Sequence, residues 1–356
     1  MKKKVLLGMS GGVDSSVCAI LLKEQGYEVI GATMQLWGDE ENDDSGCGSL
    51  NTINEAKALC EKLEIEHHVL KYTKEFREKV IDNFIEAYIN GVTPNPCIEC
   101  NRFLKFDLLY KKAEELGCEY IATGHYAKIE YVEKYNRKMI KVSNAGKKDQ
   151  TYVLYTINPN LLDKIIFPLG DFETKAEIRE IASKYGLENA TKPDSQEICF
   201  IPDDDYVRFL KENSNIEIKS GNIVDKQGNV LGTHSGVINY TVGQRKGMGI
   251  SHPVPLYVLA LDTQKNEVIV GTEQELYDDE LYLYDTNFHI NNVPENMEVT
   301  VKIRYSAVPQ KAIIQTVGGK FKIKFFEKQK SITPGQSAVI YDGDVLIGGG
   351  KIYKKG

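Results

Sequence analysis

The sequence predicts an α/β protein with an N-terminal parallel sheet, followed by a small central β-rich domain and a C-terminal antiparallel β-barrel. Over roughly the first 200 residues, short apolar runs alternate with segments of helical periodicity, which is typical of βαβ units. After about residue 213 the helical periodicity disappears and turns separate β-rich runs. We expect domains at residues 1–205, 206–280 and 281–356.

The N-terminal elements follow from the spacing of apolar residues. Val13, Val17 and Ile20 recur at helical spacing, and Gly26 ends that helix. Further on, Thr174 and Glu177 form a capping-box pattern at a helix start. The same reasoning predicts strands at residues 5–9, 28–36, 67–72 and 120–123, and helices at residues 13–26, 55–63 and 103–116.

Alternating polar and apolar residues predict the barrel strands. The pattern is clear at residues 299–305 and 321–325, where one side chain in two is apolar, as in half-buried antiparallel strands. Turn sequences at residues 225–228 and 262–266 delimit a shorter β module before the barrel.

Composition excludes several classes of protein. The 356 residues are 42% hydrophobic and 27% charged with mean hydropathy -0.34, which excludes a disordered, fibrous or membrane-embedded chain. The lysine-rich N-terminus starts like a secretory signal, but its apolar run is too short. Seven cysteines, an odd number, argue against a disulfide framework. We expect a cytoplasmic protein.

Charge is distributed unevenly along the chain. The net charge of -7 argues against nonspecific binding to polyanions. Residues 281–356, however, hold 11 Lys and Arg against 6 Asp and Glu. This basic module permits a nucleic-acid partner.

A glycine- and serine-rich loop lies between the first strand and the first helix. Residues 10–16 read SGGVDSS, and at this position backbone amides and the helix dipole favour anions. The loop lacks lysine and does not fit the P-loop pattern. We interpret it as a phosphate site in which Asp14 holds Mg²⁺; the alternative is a Gly-rich turn with a capping serine.

Three cysteines lie in polar loops. Cys97 and Cys100 stand three residues apart in a proline-stiffened loop before a helix, where thiol pKa values are lowered, and Cys199 follows much later. A structural zinc half-site and a redox pair are the alternatives, but no second CxxC completes a zinc site. Cys18, Cys60 and Cys118 fall in apolar patterns and are predicted core thiols.

Residues 8–15 resemble the PP-loop of the ATP pyrophosphatases, whose adenine-nucleotide-hydrolase-like domain is a parallel α/β sheet. Further motifs extend the resemblance over nearly the whole chain, and together they resemble the MnmA family of tRNA-specific 2-thiouridylases. These further motifs are residues 96–101, 123–127, 148–150, 192–200, 240–247 and 333–337.

The resemblance implies an enzyme that converts the wobble uridine of tRNAs for Lys, Glu and Gln to 2-thiouridine. ATP would adenylate the uridine oxygen with loss of pyrophosphate, and sulfur would then displace AMP. The uridine would be turned out of its stack to react. The implied cofactors are ATP and Mg²⁺, and the implied partners are tRNA and a sulfur donor, either a cysteine desulfurase relay or free sulfide, with neither DNA nor a membrane.

Matching the motifs residue by residue assigns candidate roles. Cys100 would be the nucleophilic thiol and Cys199 the persulfide carrier, with a disulfide formed on release. Three of these residues also have a purely structural interpretation: His125 as a core histidine, Arg304 as a strand residue and Gln336 as a turn residue. The implied ATP contacts are Gly8, Met9, Ser10, Gly11, Gly12, Val13, Asp14, Ser15, Met34 and Gly124; the implied tRNA contacts are Asn95, Pro96, Cys97, His125, Lys148, Asp149, Gln150, Arg304, Tyr305 and Gln336.

Cys97 departs from the family pattern, since many members have Asp there. With Cys97, Cys100 and Cys199 the site offers three thiolates, which can hold a 4Fe-4S cluster with one open iron. Cluster-bound sulfide therefore competes with the persulfide mechanism.

Two other functions remain as hypotheses. A PP-loop amidating ligase or synthetase would not need the cysteines. A noncatalytic RNA-binding protein would need only the basic barrel.

Overall fold

The computed structural model describes residues 2–37, 48–191 and 198–353. Cys47 and residues 192–197 of the Cys199 motif lie outside the described residues. The chain forms two compact units. The first unit comprises Met1–Ile81, Pro96–Asp204 and Asp344–Ile347, and the second comprises Asp82–Asn95, Asp205–Gly343 and Gly348–Gly356.

Five parallel strands form the central sheet of the first unit. Largely apolar, buried runs form β1, β2 and β4, as expected for strands covered on both faces, whereas the edge strand β3 is mostly polar. The strands of the unit, in chain order, are β1 (Lys4–Gly8), β2 (Glu28–Gln35), β3 (Glu66–Lys71), β4 (Tyr120–Ala122), β5 (Lys128–Val132), β6 (Arg137–Lys141) and β7 (Ile165–Ile166). The sheet order is β3-β2-β1-β4-β7, and β5 and β6 form an antiparallel hairpin to which Val345 adds by pairing with Lys141.

Helices cover this sheet and continue in the second unit. Two π-helical segments, Arg77–Ile81 and Cys100–Leu108, interrupt longer helical stretches. The α-helices are α1 (Val13–Glu24), α2 (Leu50–Lys62), α3 (Thr73–Phe76), α4 (Asp82–Ile89), α5 (Pro96–Glu99), α6 (Leu109–Glu115), α7 (Lys175–Lys184) and α8 (Tyr206–Asn213).

The core of the first unit lies between α1, α7 and the sheet. Val17, Cys18 and Leu22 of α1 are fully buried, and Ile178 and Ala182 of α7 join the same cluster. The capping box predicted at the start of α7 is present, because Thr174 Oγ1 accepts from the Glu177 amide and the Glu177 carboxylate accepts from the Thr174 amide.

The predicted strands and helices of this unit are confirmed to within a few residues, but one helical stretch was missed. Residues 73–89 are helical throughout, as α3, a π-helical segment and α4. Phe76, Val80 and Phe84 recur there every four residues and are buried. The helical signal was therefore present in the sequence.

The second unit is β-rich, as predicted. Helices α4 and α8 pack together in it through Tyr88 and Tyr206, whose rings stack with centroids 4.6 Å apart. Its strands are β8 (Gly221–Val224), β9 (Val230–His234), β10 (Tyr257–Asp262), β11 (Glu267–Gly271), β12 (Tyr277–Phe288), β13 (Met297–Lys302), β14 (Gln310–Val317), β15 (Lys320–Lys330), β16 (Ser337–Asp342) and, from residue 348 onward, β17 (Val345–Tyr353).

Six of these strands close into a barrel. Strands β12, β15, β14, β13, β16 and β17 follow one another in that order, and β12 pairs with β17 to close the ring. In β13, Val299 and Val301 are buried, whereas Glu298 is exposed and Thr300 and Lys302 are half-buried, which confirms the alternation read from the sequence. Strands β8 to β11 form a separate four-stranded sheet in the order β10-β11-β8-β9.

No helix within the described ranges is long and apolar enough to cross a membrane.

Candidate functional site

The glycine- and serine-rich loop follows β1 at the carboxyl edge of the parallel sheet. Strand β1 lies between β2 and β4, so the order of strands reverses beside it. In open α/β sheets, ligands bind outside the carboxyl ends of the strands at such a reversal. The fold therefore places residues 9–16, called here the phosphate loop, at the position where this architecture binds ligands.

Serine hydroxyls hold the phosphate loop in shape. Ser15 Oγ donates to Gly12 O at 3.0 Å and Ser16 Oγ donates to the same carbonyl at 2.9 Å. Ser10 N in turn donates to Ser15 Oγ at 3.2 Å. Gly11 has φ +71°, a left-handed conformation that favours glycine. The loop is thus preorganised, and Gly12 stands at the N-cap of α1.

Asp14 is the electrostatic centre of this loop. Lys175 Nζ lies 2.7 Å from Asp14 Oδ1 and 2.6 Å from Oδ2, and Tyr126 Oη donates to Oδ1 at 2.7 Å. The Lys175 ammonium also lies 5.8 Å from the centroid of the Tyr126 ring. A carboxylate, an ammonium and a phenol therefore meet in a half-buried position at the start of α1.

The other predicted ATP residues lie at the same sheet edge. Met34 is half-buried near the end of β2, and Gly124 follows β4. A Cβ on Gly124 would lie 3.2 Å from Asp14 Cβ, so glycine permits this close approach. The structure brings together, at the ends of β1, β2 and β4, the candidates Gly8, Met9, Ser10, Gly11, Gly12, Val13, Asp14, Ser15, Met34 and Gly124.

Cys97 and Cys100 lie at the start of one continuous helical stretch. Pro96 is the first residue of α5, a position where proline's fixed φ and missing N–H are tolerated. Cys97 is exposed, whereas Cys100, where the π-helical segment begins, is buried at 8% exposure. The two thiols therefore differ in access to solvent although they are one turn apart.

Cys199 is half-buried and follows the stretch outside the described residues. Within the described parts of the chain, no group of three or more His, Cys, Asp or Glu side chains is placed to hold a metal ion. Cys97, Cys100 and Cys199 therefore do not form such a group in this structure, and the three-thiolate cluster stays a hypothesis. A Mg²⁺ held by one carboxylate and substrate phosphates remains compatible with Asp14.

The remaining described cysteines are core residues, as predicted. Burial raises the pKa of Cys60 to about 11 and that of Cys18 well above its usual value, and it also raises the pKa of Cys118. Thiols with raised pKa values are poor nucleophiles at neutral pH.

The segment 148–150 combines an exposed lysine with two anchored residues. Lys148 is exposed, while the buried Asp149 carboxylate accepts from Ser143 N at 3.0 Å and Thr151 Oγ1 at 2.6 Å. Gln150 Oε1 accepts from Tyr126 N at 2.9 Å. Lys148 is therefore the member of this trio that is open to a polyanion.

The ring of His125 is buried, which matches the core-histidine interpretation. It is 7% exposed, packs against Phe106 and Phe167, and its Nδ1 lies 2.7 Å from Thr123 Oγ1. Burial, with a smaller contribution from Lys105, holds the pKa of His125 well below its usual value. His125 is therefore neutral at pH 7, and its predicted tRNA contact stays a prediction.

Three predicted tRNA residues belong to the second unit. Arg304 and Tyr305 are exposed after β13, with Lys302 Nζ 5.7 Å from the Tyr305 ring centroid. Gln336 Nε2 donates to Thr93 O at 3.0 Å, just before Asn95 in the chain. Gln336 thus anchors the segment that leads into Asn95, Pro96 and Cys97.

Comparison with protein families divides the chain into three matched regions. Residues 3–203 match the family model described as tRNA methyl transferase HUP domain. Residues 208–272 match the tRNA methyl transferase PRC-barrel domain, and residues 278–352 the Aminomethyltransferase beta-barrel domain.

Full-length relatives decide the family. A tRNA-specific 2-thiouridylase MnmA from Clostridioides difficile (strain 630) is 49% identical over 358 residues, covering 99% of both chains. Another, from Clostridium botulinum (strain Alaska E43 / Type E3), is 51% identical and covers 99% of this chain and 98% of that one. The chain belongs to the tRNA-specific 2-thiouridylase family. The predicted family and fold class are thereby confirmed, and neither alternative function is favoured.

Among solved structures, the likeness is loose. The U34-tRNA thiolase NcsA from Methanococcus maripaludis with its [4Fe-4S] cluster is 21% identical to this 2-thiouridylase family member, with TM-score 0.36. The match covers 60% of this chain and 67% of that chain. At this level of similarity nothing is transferred from it.

Sequence reasoning missed Lys175 and Tyr126, the partners of Asp14. A signal for Lys175 was available, because the phosphate loop of this 2-thiouridylase family member lacks a lysine and Lys175 is the first residue of α7. Asn189 was also missed; its Nδ2 donates to Gly11 O at 2.9 Å and Ser16 Oγ at 2.8 Å. All three come from distant parts of the sequence.

Burial of His125 predicts acid sensitivity of the first unit. Its pKa is lowered in the folded state, so its contribution to stability is present above about pH 6.5, the ordinary histidine value, and is lost as the pH falls toward the folded-state pKa. Urea unfolding followed by the fluorescence of the single tryptophan, Trp37, should show a lower midpoint at about pH 5.5 than at about pH 7.5.

His125→Gln should shrink that difference, whereas a His252→Gln control, at an exposed position, should retain it. Equal acid sensitivity in all three proteins would contradict this account of His125.

Proposed function

We propose that this protein uses ATP to convert the wobble uridine of tRNAs for Lys, Glu and Gln to 2-thiouridine. The observation that carries the proposal is a preorganised phosphate loop in a chain that matches a 2-thiouridylase over 99% of its length, in a unit that also contains Cys97, Cys100 and Cys199. The phosphate loop would bind the ATP that activates the uridine, and the thiols would transfer the sulfur.

Activation is needed because the oxygen on carbon 2 of uracil is a poor leaving group. That oxygen attacks the α-phosphorus of ATP, the bond to the β-phosphate oxygen breaks, and pyrophosphate leaves. The backbone and the hydroxyls at residues 10–16 suit the phosphates, with Met34 and Gly124 at the neighbouring strand ends. Mg²⁺ at Asp14 would neutralise part of the phosphate charge.

Lys175 supplies the cation that the loop itself lacks. Its side chain is 15% exposed and its ammonium lies on Asp14 in this structure. The arriving phosphates carry more negative charge than one carboxylate, and the ammonium can reorient toward them. Lys175 would then stabilise the charge that grows on the departing pyrophosphate.

Sulfur then replaces the adenylated oxygen. We propose that Cys199 carries a persulfide, received from a cysteine desulfurase relay or from sulfide with an oxidant, and that its terminal sulfur bonds to carbon 2 while AMP leaves. The Cys100 thiolate attacks Sγ of Cys199, forming a disulfide and releasing the thiocarbonyl. An external thiol reductant restores both cysteines.

The persulfide route is favoured over a 4Fe-4S cluster because the described residues gather no group of three metal-ligating side chains. Protein purified anaerobically is therefore expected to be active with far less than one cluster per chain, measured by iron and acid-labile sulfide analysis beside activity. Activity that rises in proportion to iron content would contradict the persulfide route.

For tRNA, we propose that Asn95, Pro96 and Cys97 line the pocket of the flipped uridine. Lys148, Arg304 and Tyr305 are exposed and suit contacts with phosphates and bases. His125, Asp149, Gln150 and Gln336 complete the proposed tRNA set, and their side chains hydrogen-bond or pack inside the protein as described. We place the reaction in the cytoplasm, with the sulfur donor.

The central prediction is formation of 2-thiouridine. Unmodified glutamate tRNA incubated with the protein, Mg-ATP, a reductant and a persulfide donor should yield 2-thiouridine by nucleoside mass spectrometry, because all reactants are then present. Cys100→Ser should abolish the product, since the thiolate assigned to release it from Cys199 is then missing.

Cys118→Ala is the matched control, because Cys118 is a core thiol of the same unit, and it should retain activity. A Cys100→Ser protein with full activity would overturn the assigned role of Cys100.

The role of Lys175 can be tested on the same reaction. Lys175→Ala removes the ammonium and should lower kcat by about a hundredfold, as expected when a donor to developing charge is lost. Lys184→Ala, on the exposed face of the same helix and paired with Glu180, is the control and should behave as wild type. Equal activity of the two variants would exclude the proposed role of Lys175.

A further inference from the structure

A hydrogen-bonded path runs from the phosphate loop to the helix that carries Cys100, entirely within the first unit. It begins at Asp14, which accepts from Tyr126 Oη at 2.7 Å. The backbone of Tyr126 is tied to Gln150 in both directions: Tyr126 N donates to Gln150 Oε1 and Gln150 N donates to Tyr126 O, each at 2.9 Å.

The path continues through a short helical turn. Val153 N donates to Gln150 O at 3.1 Å, and Val153 O accepts from Asn101 Nδ2 at 3.1 Å. Asn101 is the residue after Cys100. Tyr126 and Asn101 are only 3% and 1% exposed. The bond from Asn101 to Val153 is buried, where hydrogen bonds are stronger, whereas the bonds of Tyr126 to Asp14 and Gln150 are partly buried.

The far end of the path is an irregular part of the helix. Cys100 and Asn101 open a π-helical segment, a form that is rare and concentrated at functional sites. Asn101 Oδ1 is buried, and no partner for it exists among the described residues. Leaving a buried acceptor without a hydrogen bond is destabilising, so a rearrangement that supplied one would be stabilised by it.

The near end of the path changes when a nucleotide binds. Asp14 shares its charge between Lys175 and Tyr126, and Lys175 also contacts the Tyr126 ring. Phosphates that attract Lys175, and Mg²⁺ that would arrive at Asp14 with them, would change the charge that Tyr126 Oη faces and remove the cation from beside its ring. The position of Tyr126 therefore depends on whether the phosphate loop is occupied.

We propose that Tyr126 and Asn101 are positioning residues that couple nucleotide binding at the phosphate loop to exposure of the Cys100 thiol. Cys100 is held buried until ATP is bound, so the reacting thiol becomes available only after the uridine can be activated. The proposal rests on the proposed function for the identity of the nucleotide and of the reacting thiol.

The test measures the rate at which iodoacetamide alkylates Cys100, located by tandem mass spectrometry, with and without a nonhydrolysable Mg-ATP analogue and without tRNA. We expect the analogue to raise the wild-type rate by about fivefold or more, the lower end of ordinary allosteric coupling. Tyr126→Phe, which loses one hydroxyl, and Asn101→Leu should bind the analogue and lose most of this rise. The double variant should lose no more than either single one.

Asn189→Ala is the matched control, because Asn189 bonds to the phosphate loop but lies off the path, and it should keep the rise. An unchanged wild-type rate with the analogue bound would overturn the proposal, as would an equal rise in Tyr126→Phe and Asn101→Leu, or loss of the rise in Asn189→Ala while it still binds the analogue. These readouts need no thiolation, so failure of the proposed function would show separately, as absence of 2-thiouridine.

Discussion

The charge of Asp14 at the carboxyl edge of the sheet is the constraint around which the first unit is arranged. One carboxylate beside the N-terminus of α1 draws in the ammonium of Lys175 and the hydroxyl of Tyr126, from segments more than a hundred residues away in sequence. The attraction of opposite charges in a half-buried position fixes the start of α7 and the turn after β4 against the phosphate loop. The geometry of the nucleotide site follows from this meeting.

For the thiols, the main constraint is how far solvent and reactants can reach the sulfur atoms. Raised pKa values keep the core cysteines unreactive. The reactivity of Cys97 and Cys100 depends instead on their position at the start of a helix and, for Cys100, on burial. Neighbouring thiols with unequal exposure can take different parts in one reaction. Exposed Cys97 suits contact with an arriving base, and buried Cys100 suits a step that must wait.

Local patterns in the sequence predicted what depends on local physics. The strand at residues 5–9, the glycine-rich turn after it, the capping box at Thr174 and the alternation around Val299 are all decided by neighbours in the chain. The partnership of Lys175 with Asp14 and of Gln336 with Thr93 depends on how distant elements pack, which no local pattern encodes. The burial of His125 between Phe106 and Phe167 also depends on how distant elements pack. Only that packing shows that His125 is a core histidine and not a surface one. The domain limits and the tRNA contacts remain predictions.

The chain passes between the two units several times. Asp82–Asn95 belongs to the second unit although the segments on both sides of it belong to the first, and Asp344–Ile347 belongs to the first unit although it lies within the second in sequence. Val345 pairs there with Lys141, so the hairpin of β5 and β6 receives its neighbour from near the end of the sequence. During synthesis on a ribosome, the first unit therefore cannot finish folding when its own long segment emerges. Until residues 344–347 have been synthesised, that edge of β6 has no neighbour, and an unpaired strand edge is a place where a nascent chain can aggregate.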